Sequence, residues 1–161
     1  MKEYNHMIKI LFVCHGNICR SPMAEYLFRD KIEKLGLSSR FHIASAATST
    51  EELGNAPHHG TQKILSDLGI SCYGKRAVQI KKKDYDSYDL IIGMDDRNVQ
   101  NMQRIFGGDP KHKIYKYLDF SENPRNIADP WYTGNFKRTY EDILEAGEAL
   151  LGYLEKEGMI Y

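Results

Sequence analysis

The chain has 161 residues, with 22 Lys and Arg against 22 Asp and Glu, and 42% hydrophobic residues, enough for the core of one domain. Zero net charge leaves no electrostatic footprint for nucleic acid or an anionic membrane surface. No run approaches the about 18 apolar residues of a membrane span, and three cysteines fit a reducing compartment better than a disulfide scaffold.

Residues 8–13 are mostly apolar and β-branched or bulky, as in a central parallel strand. Gly16 and Asn17 are suited to a sharp turn with positive φ. Ser21 is a good N-cap, Pro22 suits a first helical position, and Glu25 falls in a first turn. A helix follows over residues 22–35 and ends at Gly36. Residues 41–47 read as a second strand leading into a loop over 48–55. Pro57 opens a second helix with Ile64, Leu65 and Leu68 facing inward, and residues 72–79 read as a connector. Residues 88–94 form a third strand, and Asp95 or Asp96 caps the helix that runs through Val99, Met102, Ile105 and Phe106. Residues 113–118 make a fourth strand, 119–135 an irregular segment, and a final helix runs from Phe136 through Leu154. Such alternation argues for a single-domain α/β fold, a parallel sheet covered by helices on both faces. Ligands of such sheets sit beyond the carboxyl ends of the strands.

The loop after the first strand has the makings of a phosphate nest. Wrapped at a helix N-terminus, its backbone N–H groups can face a tetrahedral oxyanion. Cys14 there lies in the positive field of the helix end and of Arg20, a setting that favours a nucleophilic thiolate. Arg20 offers a planar fork to two phosphoryl oxygens, which lysine cannot reproduce. Protonating a poor leaving group then asks for a carboxylic acid on another element, and Asp129-Pro130-Trp131-Tyr132 supplies one. Pro130 stiffens the backbone after Asp129, while Trp131 and Tyr132 can wall a slot for a flat ring. His58-His59 lacks metal-ligand spacing, so neither a metal nor a cofactor is expected.

From Val13 to Pro22, the stretch Val-Cys-His-Gly-Asn-Ile-Cys-Arg-Ser-Pro resembles the phosphate-binding loop of the low-molecular-weight protein tyrosine phosphatases, as does Asp129-Pro130-Trp131-Tyr132 their acid motif. The likeness runs from Ile8 to about Gly158, so residues 1–161 read as one such domain with residues 1–7 as a short extension. The polar start, residues 1–6, has no apolar segment behind it and is not expected to be a signal peptide. The resemblance implies a four-stranded parallel sheet of order 2-1-3-4. It also implies hydrolysis of phosphotyrosine through a phosphocysteine at Cys14, with Arg20 binding the phosphoryl group and Asp129 as general acid and base. His15, Gly16, Asn17, Ile18, Cys19, Ser21, Trp131 and Tyr132 would complete the substrate site. Asn17 and Ser21 would hold the loop and orient the thiolate, with Ser45 as partner. Cys19 lies where many members have a second cysteine able to bond Cys14 under peroxide.

The sequence also departs from the pattern. Glu51 or Glu52 falls where many members carry an aromatic wall residue, so either the carboxylate points away or substrate preference differs. Where mammalian members brace the loop with a histidine, this chain has Gly74, Lys75 and Arg76. Related enzymes act on phosphoarginine, often with threonine at the position of Ile18, so tyrosine is favoured here. An arsenate reductase of the same fold would need a distant pair of cysteines, and Cys72 stands alone. A non-catalytic phosphate-binding module is the third reading. The expected partner is a phosphotyrosine protein or peptide, met in the cytoplasm without nucleic acid or membrane; oligomeric state is left open.

Overall fold

The computed structural model describes residues 6–161, so most of the short N-terminal extension, residues 1–5, lies outside the described residues. Four strands, β1 (Ile8–Cys14), β2 (Phe41–Ala47), β3 (Leu90–Gly93) and β4 (Ile114–Lys116), form one parallel sheet of order β2-β1-β3-β4. β1 is central because both its faces are apolar. Ile8, Ile10, Phe12 and Cys14 join one core cluster, whereas Leu11 and Val13 join the other, as the two-residue period of a strand requires. The first cluster includes Met23, Phe28 and Ile32 of α1 (Arg20–Lys34) and Ile143, Leu150 and Leu154 of α6 (Phe136–Lys156). The second includes Met102 and Phe106 of α4 (Asp96–Phe106) and Tyr85 of α3 (Asp84–Ser87). Helices therefore cover both faces. Among the described residues no helix is long and apolar enough to cross a membrane.

Several element ends differ from the sequence reading, each for a local reason. The third strand stops at Gly93 because the Met94 N–H is taken by Asn98 Oδ1 at 2.9 Å, inside the capping box that Asp95 and Asn98 form on α4. The fourth strand is cut to three residues by a 3₁₀ turn over Tyr117–Phe120. The second helix, α2 (His59–Asp67), opens after Pro57, and His58 Nδ1 accepts the Gly60 N–H at 3.0 Å as its cap. Leu68 follows the last turn of α2 and is 45% exposed, not inward-facing. The irregular segment contains one short helix, α5 (Pro130–Thr133), whose N-cap is Asp129.

Two corrections fall beside the phosphate nest. Helix α1 begins at Arg20, so Ser21 is not its cap, and the N-cap residue Cys19 makes no side-chain cap bond. Glu25 falls beyond the first turn of α1, which begins at Arg20; it is buried and accepts from Ser45 Oγ at 2.5 Å, with Arg29 Nη2 2.6 Å away.

Candidate active site

β1 delivers Cys14 to the carboxyl edge of the sheet, and the chain must then reverse into α1 within five residues. Asn17 makes the reversal, at φ 59°, whereas Gly16 keeps an ordinary φ. Glycine at 16 answers a different need, because a Cβ there would lie 3.2 Å from Glu52 Cγ. Four loop carbonyls are engaged on the outer side: Cys14 by Thr48 N (3.0 Å), His15 by Ser49 N (3.1 Å), Ile18 by His58 N (2.8 Å), and Cys19 by Thr61 Oγ1 (3.0 Å). Since N–H and C=O oppose each other across a trans peptide, those bonds direct the N–H groups of His15, Gly16, Cys19 and Arg20 toward the inner side.

Behind the loop lies a buried relay of side chains. Asn17 Nδ2 donates to Ser21 Oγ (2.7 Å) and to Ser45 Oγ (2.9 Å), while its Oδ1 accepts the Val78 N–H (3.1 Å). With a lone pair of Ser21 occupied by Asn17, the hydroxyl proton is free to turn to Cys14 Sγ, 3.0 Å away. The Ser21 backbone N–H also points at that sulfur, at 3.4 Å. Lys75 closes the back of the relay, donating to the Ser45 carbonyl at 3.0 Å and lying 3.8 Å from Glu25. Burial lowers the Lys75 pKa, with Glu25 working in the other direction.

Arg20 is 2% exposed although it is the largest of the buried side chains. Its Nη1 donates to Asp95 Oδ2 (2.7 Å) and to the Ile127 carbonyl (2.8 Å), and its Nη2 reaches Asp129 Oδ2 at 3.4 Å. Burial opposes its charge, but Cys14, Asp95 and Asp129 outweigh it and raise the guanidinium pKa further. Asp129 is held on both oxygens, since Oδ1 also accepts the Trp131 N–H at 3.0 Å. Burial, reinforced by Cys14 and Asp129, pushes the Cys19 thiol up to about 12, which keeps it protonated near neutrality. Cys14 and Cys19 are both free thiols.

Of the site residues read from the sequence, Cys14, His15, Gly16, Ile18, Cys19, Arg20, Asp129, Trp131 and Tyr132 line one cavity of about 90 Å³. Trp131 and Tyr132 stand at its mouth, 57% and 82% exposed. Asn17 and Ser21 do not line it; their side chains are fully buried behind the loop. Glu51 and Glu52 also line the cavity, Glu51 with its side chain 68% exposed at the rim. Cys72 lines a separate open cleft of about 400 Å³ with Gln62 and Tyr73. Among the described residues no cluster of three or more His, Cys, Asp or Glu could hold a metal ion.

Four contributors carry no sequence motif for the part they play. Asp95, which the sequence marks as a candidate helix cap, is both cap and anchor for Arg20; its place just past β3, at the sheet edge that carries Cys14, is the available signal. Lys75 and Glu25 meet across the sheet edge and leave no local pattern. The Ile127 carbonyl is a backbone group that no side-chain motif marks.

Comparison with known proteins places this geometry in a family context. Residues 9–159 match the model for low molecular weight phosphotyrosine protein phosphatases. The chain is 42% identical to the low molecular weight protein-tyrosine-phosphatase YfkJ of Bacillus subtilis, covering 94% of this chain and 98% of that protein. The crystal structure of YfkJ superposes with a TM-score of 0.91 over 94% of this chain and 96% of that one. SP-PTP, a low molecular weight protein tyrosine phosphatase from Streptococcus pyogenes, is 38% identical with a TM-score of 0.83, over 92% of this chain and 93% of that one.

Proposed function

This chain belongs to the low-molecular-weight phosphotyrosine protein phosphatase family, and from that premise we propose that it hydrolyses phosphotyrosine in peptides and proteins through a phosphocysteine at Cys14. The observation that carries the reading is the convergence of a nucleophile, a buried guanidinium and a carboxyl group, from three separate elements, on one cavity. In the first step the Cys14 thiolate attacks phosphorus, an S–P bond forms, and the bond from phosphorus to the tyrosyl oxygen breaks. Asp129 gives its proton to the departing oxygen. In the second step Asp129, now a carboxylate, takes a proton from water as that water attacks phosphorus, and the S–P bond breaks to release inorganic phosphate.

The roles of the other groups follow from their contacts. Arg20 Nη1 is committed to Asp95 and Ile127, whereas Nη2 makes only a 3.4 Å contact with Asp129 and is the donor able to turn to the phosphoryl oxygens. Inward N–H groups of the loop meet the charge that spreads over those oxygens in the transition state. Ser21 Oγ donates to the sulfur and so assists its departure in the second step. The balanced charge of the chain and its three free thiols support a cytoplasmic location.

Leaving-group profiling tests the reading. Cys14→Ser should abolish hydrolysis of p-nitrophenyl phosphate while keeping oxyanion affinity. Arg20→Lys should lose both, since a point charge cannot replace the fork. Asp129→Asn should slow phenyl phosphate about 10²-fold or more and far less for substrates with acidic phenols. Equal losses across leaving groups would remove Asp129 from the role of acid, and hydrolysis surviving in Cys14→Ser would overturn the phosphocysteine.

A further inference from the structure

A pocket that must attract a phosphate dianion carries two carboxylates, Glu51 and Glu52, in the same lining as Trp131 and Tyr132. Both come from the loop after β2, which is tied to the phosphate loop by the Ser49 N–H and hydroxyl, each bonded to the His15 carbonyl at 3.1 and 2.9 Å. That tie holds the backbone of the glutamate loop beside His15, the residue after Cys14. Glu52 packs its methylene 3.2 Å from where a Cβ of Gly16 would be, and Asn55 Nδ2 donates to its Oε1 at 2.8 Å. Glu51 Oε2 lies 3.1 Å from His15 Nε2 and is 68% exposed. Among the described residues neither carboxylate is paired with a lysine or arginine. The cation of the cavity, Arg20, already faces Asp95 and Asp129.

Resting on the phosphotyrosine reading above, we infer that Glu51 and Glu52 select substrates in which lysine or arginine flanks the phosphotyrosine. The ligand here is the phosphoryl group that Cys14 and Arg20 define; the two glutamates act on what accompanies it. A neighbouring carboxylate on a peptide would meet two negative charges at the rim. A neighbouring ammonium or guanidinium finds two acceptors already held in place, and it also offsets their repulsion of the incoming phosphate. Partial exposure makes each pairing modest, so the discrimination arises from the two acting together and depends on salt.

The test compares two phosphotyrosine peptides, identical except that arginine or glutamate occupies the positions on either side of the phosphotyrosine. For the wild type at low ionic strength, kcat/KM should favour the arginine peptide by about tenfold, and the ratio should shrink as salt is raised. In the double variant Glu51→Gln, Glu52→Gln the ratio should fall to about twofold or less. The ratio is taken within one protein, so a general loss of activity cancels. A wild-type ratio near one, or a ratio that survives both in the double variant and in high salt, overturns the inference. Failure of the underlying reading is seen separately, as an inability of the wild type to hydrolyse p-nitrophenyl phosphate, which has no flanking residue.

Discussion

Asn17 shows how much a single buried amide can set. It takes the left-handed conformation that most side chains resist, and it supplies both N–H donors and its carbonyl to groups from three other segments. Alanine at this position keeps the strain and leaves Ser21, Ser45 and the Val78 N–H without this partner. Asn17→Ala is expected to cost about 3 kcal/mol in urea unfolding and to lower kcat about 10²-fold by releasing the Ser21 hydroxyl from its orientation. Asn17→Gly relieves the φ cost but restores no hydrogen bond. It should recover part of the stability and little of the rate; full recovery of rate would show that the relay to Cys14 is not what Asn17 provides. Ser21 follows the same logic. A serine before proline reads as a helix cap, but its single hydroxyl proton can be given once; α1 takes no side-chain cap bond, and Cys14 Sγ lies 3.0 Å from the oxygen.

At the scale of elements, the helices show where packing overrides propensity and where it does not. Gly60 in α2 faces the ring of Phe136, the first residue of α6; an added Cβ would lie 2.7 Å from ring carbons, and the ring is itself stacked on His58. Gly152 in α6 is exposed with nothing within 4 Å of the same added atom. Helix propensity favours alanine at both positions by about 0.5–1 kcal/mol. Overpacking costs about 1–3 kcal/mol and wins at Gly60. Thermal unfolding should therefore place Gly60→Ala below the wild type and Gly152→Ala above it; a rise for Gly60→Ala would show that α2 and α6 are not in the contact described. Cutting the fourth strand short has a related cause, because Tyr117 and Leu118 leave the ladder in a 3₁₀ turn and are buried in the core.

For the whole molecule, the candidate site is a junction between segments far apart in the chain, and its charges are felt in global stability. Arg20, from the first helix, joins Asp95 after β3 and the segment that carries Ile127 and Asp129. Cys19 sits inside this junction with its thiol raised from 9.0 to about 12. Between those values the unfolded chain has lost the proton and the folded chain still holds it, so the unfolded state binds fewer protons and stability falls as pH rises. Below about 9 the thiol is neutral in both states and the contribution is fully present. Cys19→Ala should flatten the alkaline decline of the unfolding free energy measured in urea above about pH 9. A wild-type slope unchanged by the substitution would assign the decline to other groups.

The sequence by itself determined the layers of the fold and the chemistry of the loop. The double-faced apolar run of β1, the helical spacing of α6 and the glycine stops are local patterns, and a cysteine, an arginine and a helix start within eight residues can meet without help from the rest of the chain. Other features belong to the tertiary structure alone. Asp95 turns to Arg20, Lys75 settles over Glu25, Ile127 offers its carbonyl, and Glu51 and Glu52 line the rim of the cavity. Each of these depends on which segments the parallel sheet lays side by side at its carboxyl edge. A charge or carbonyl there takes whatever partner that packing brings within reach, and no period or motif along the chain encodes the meeting.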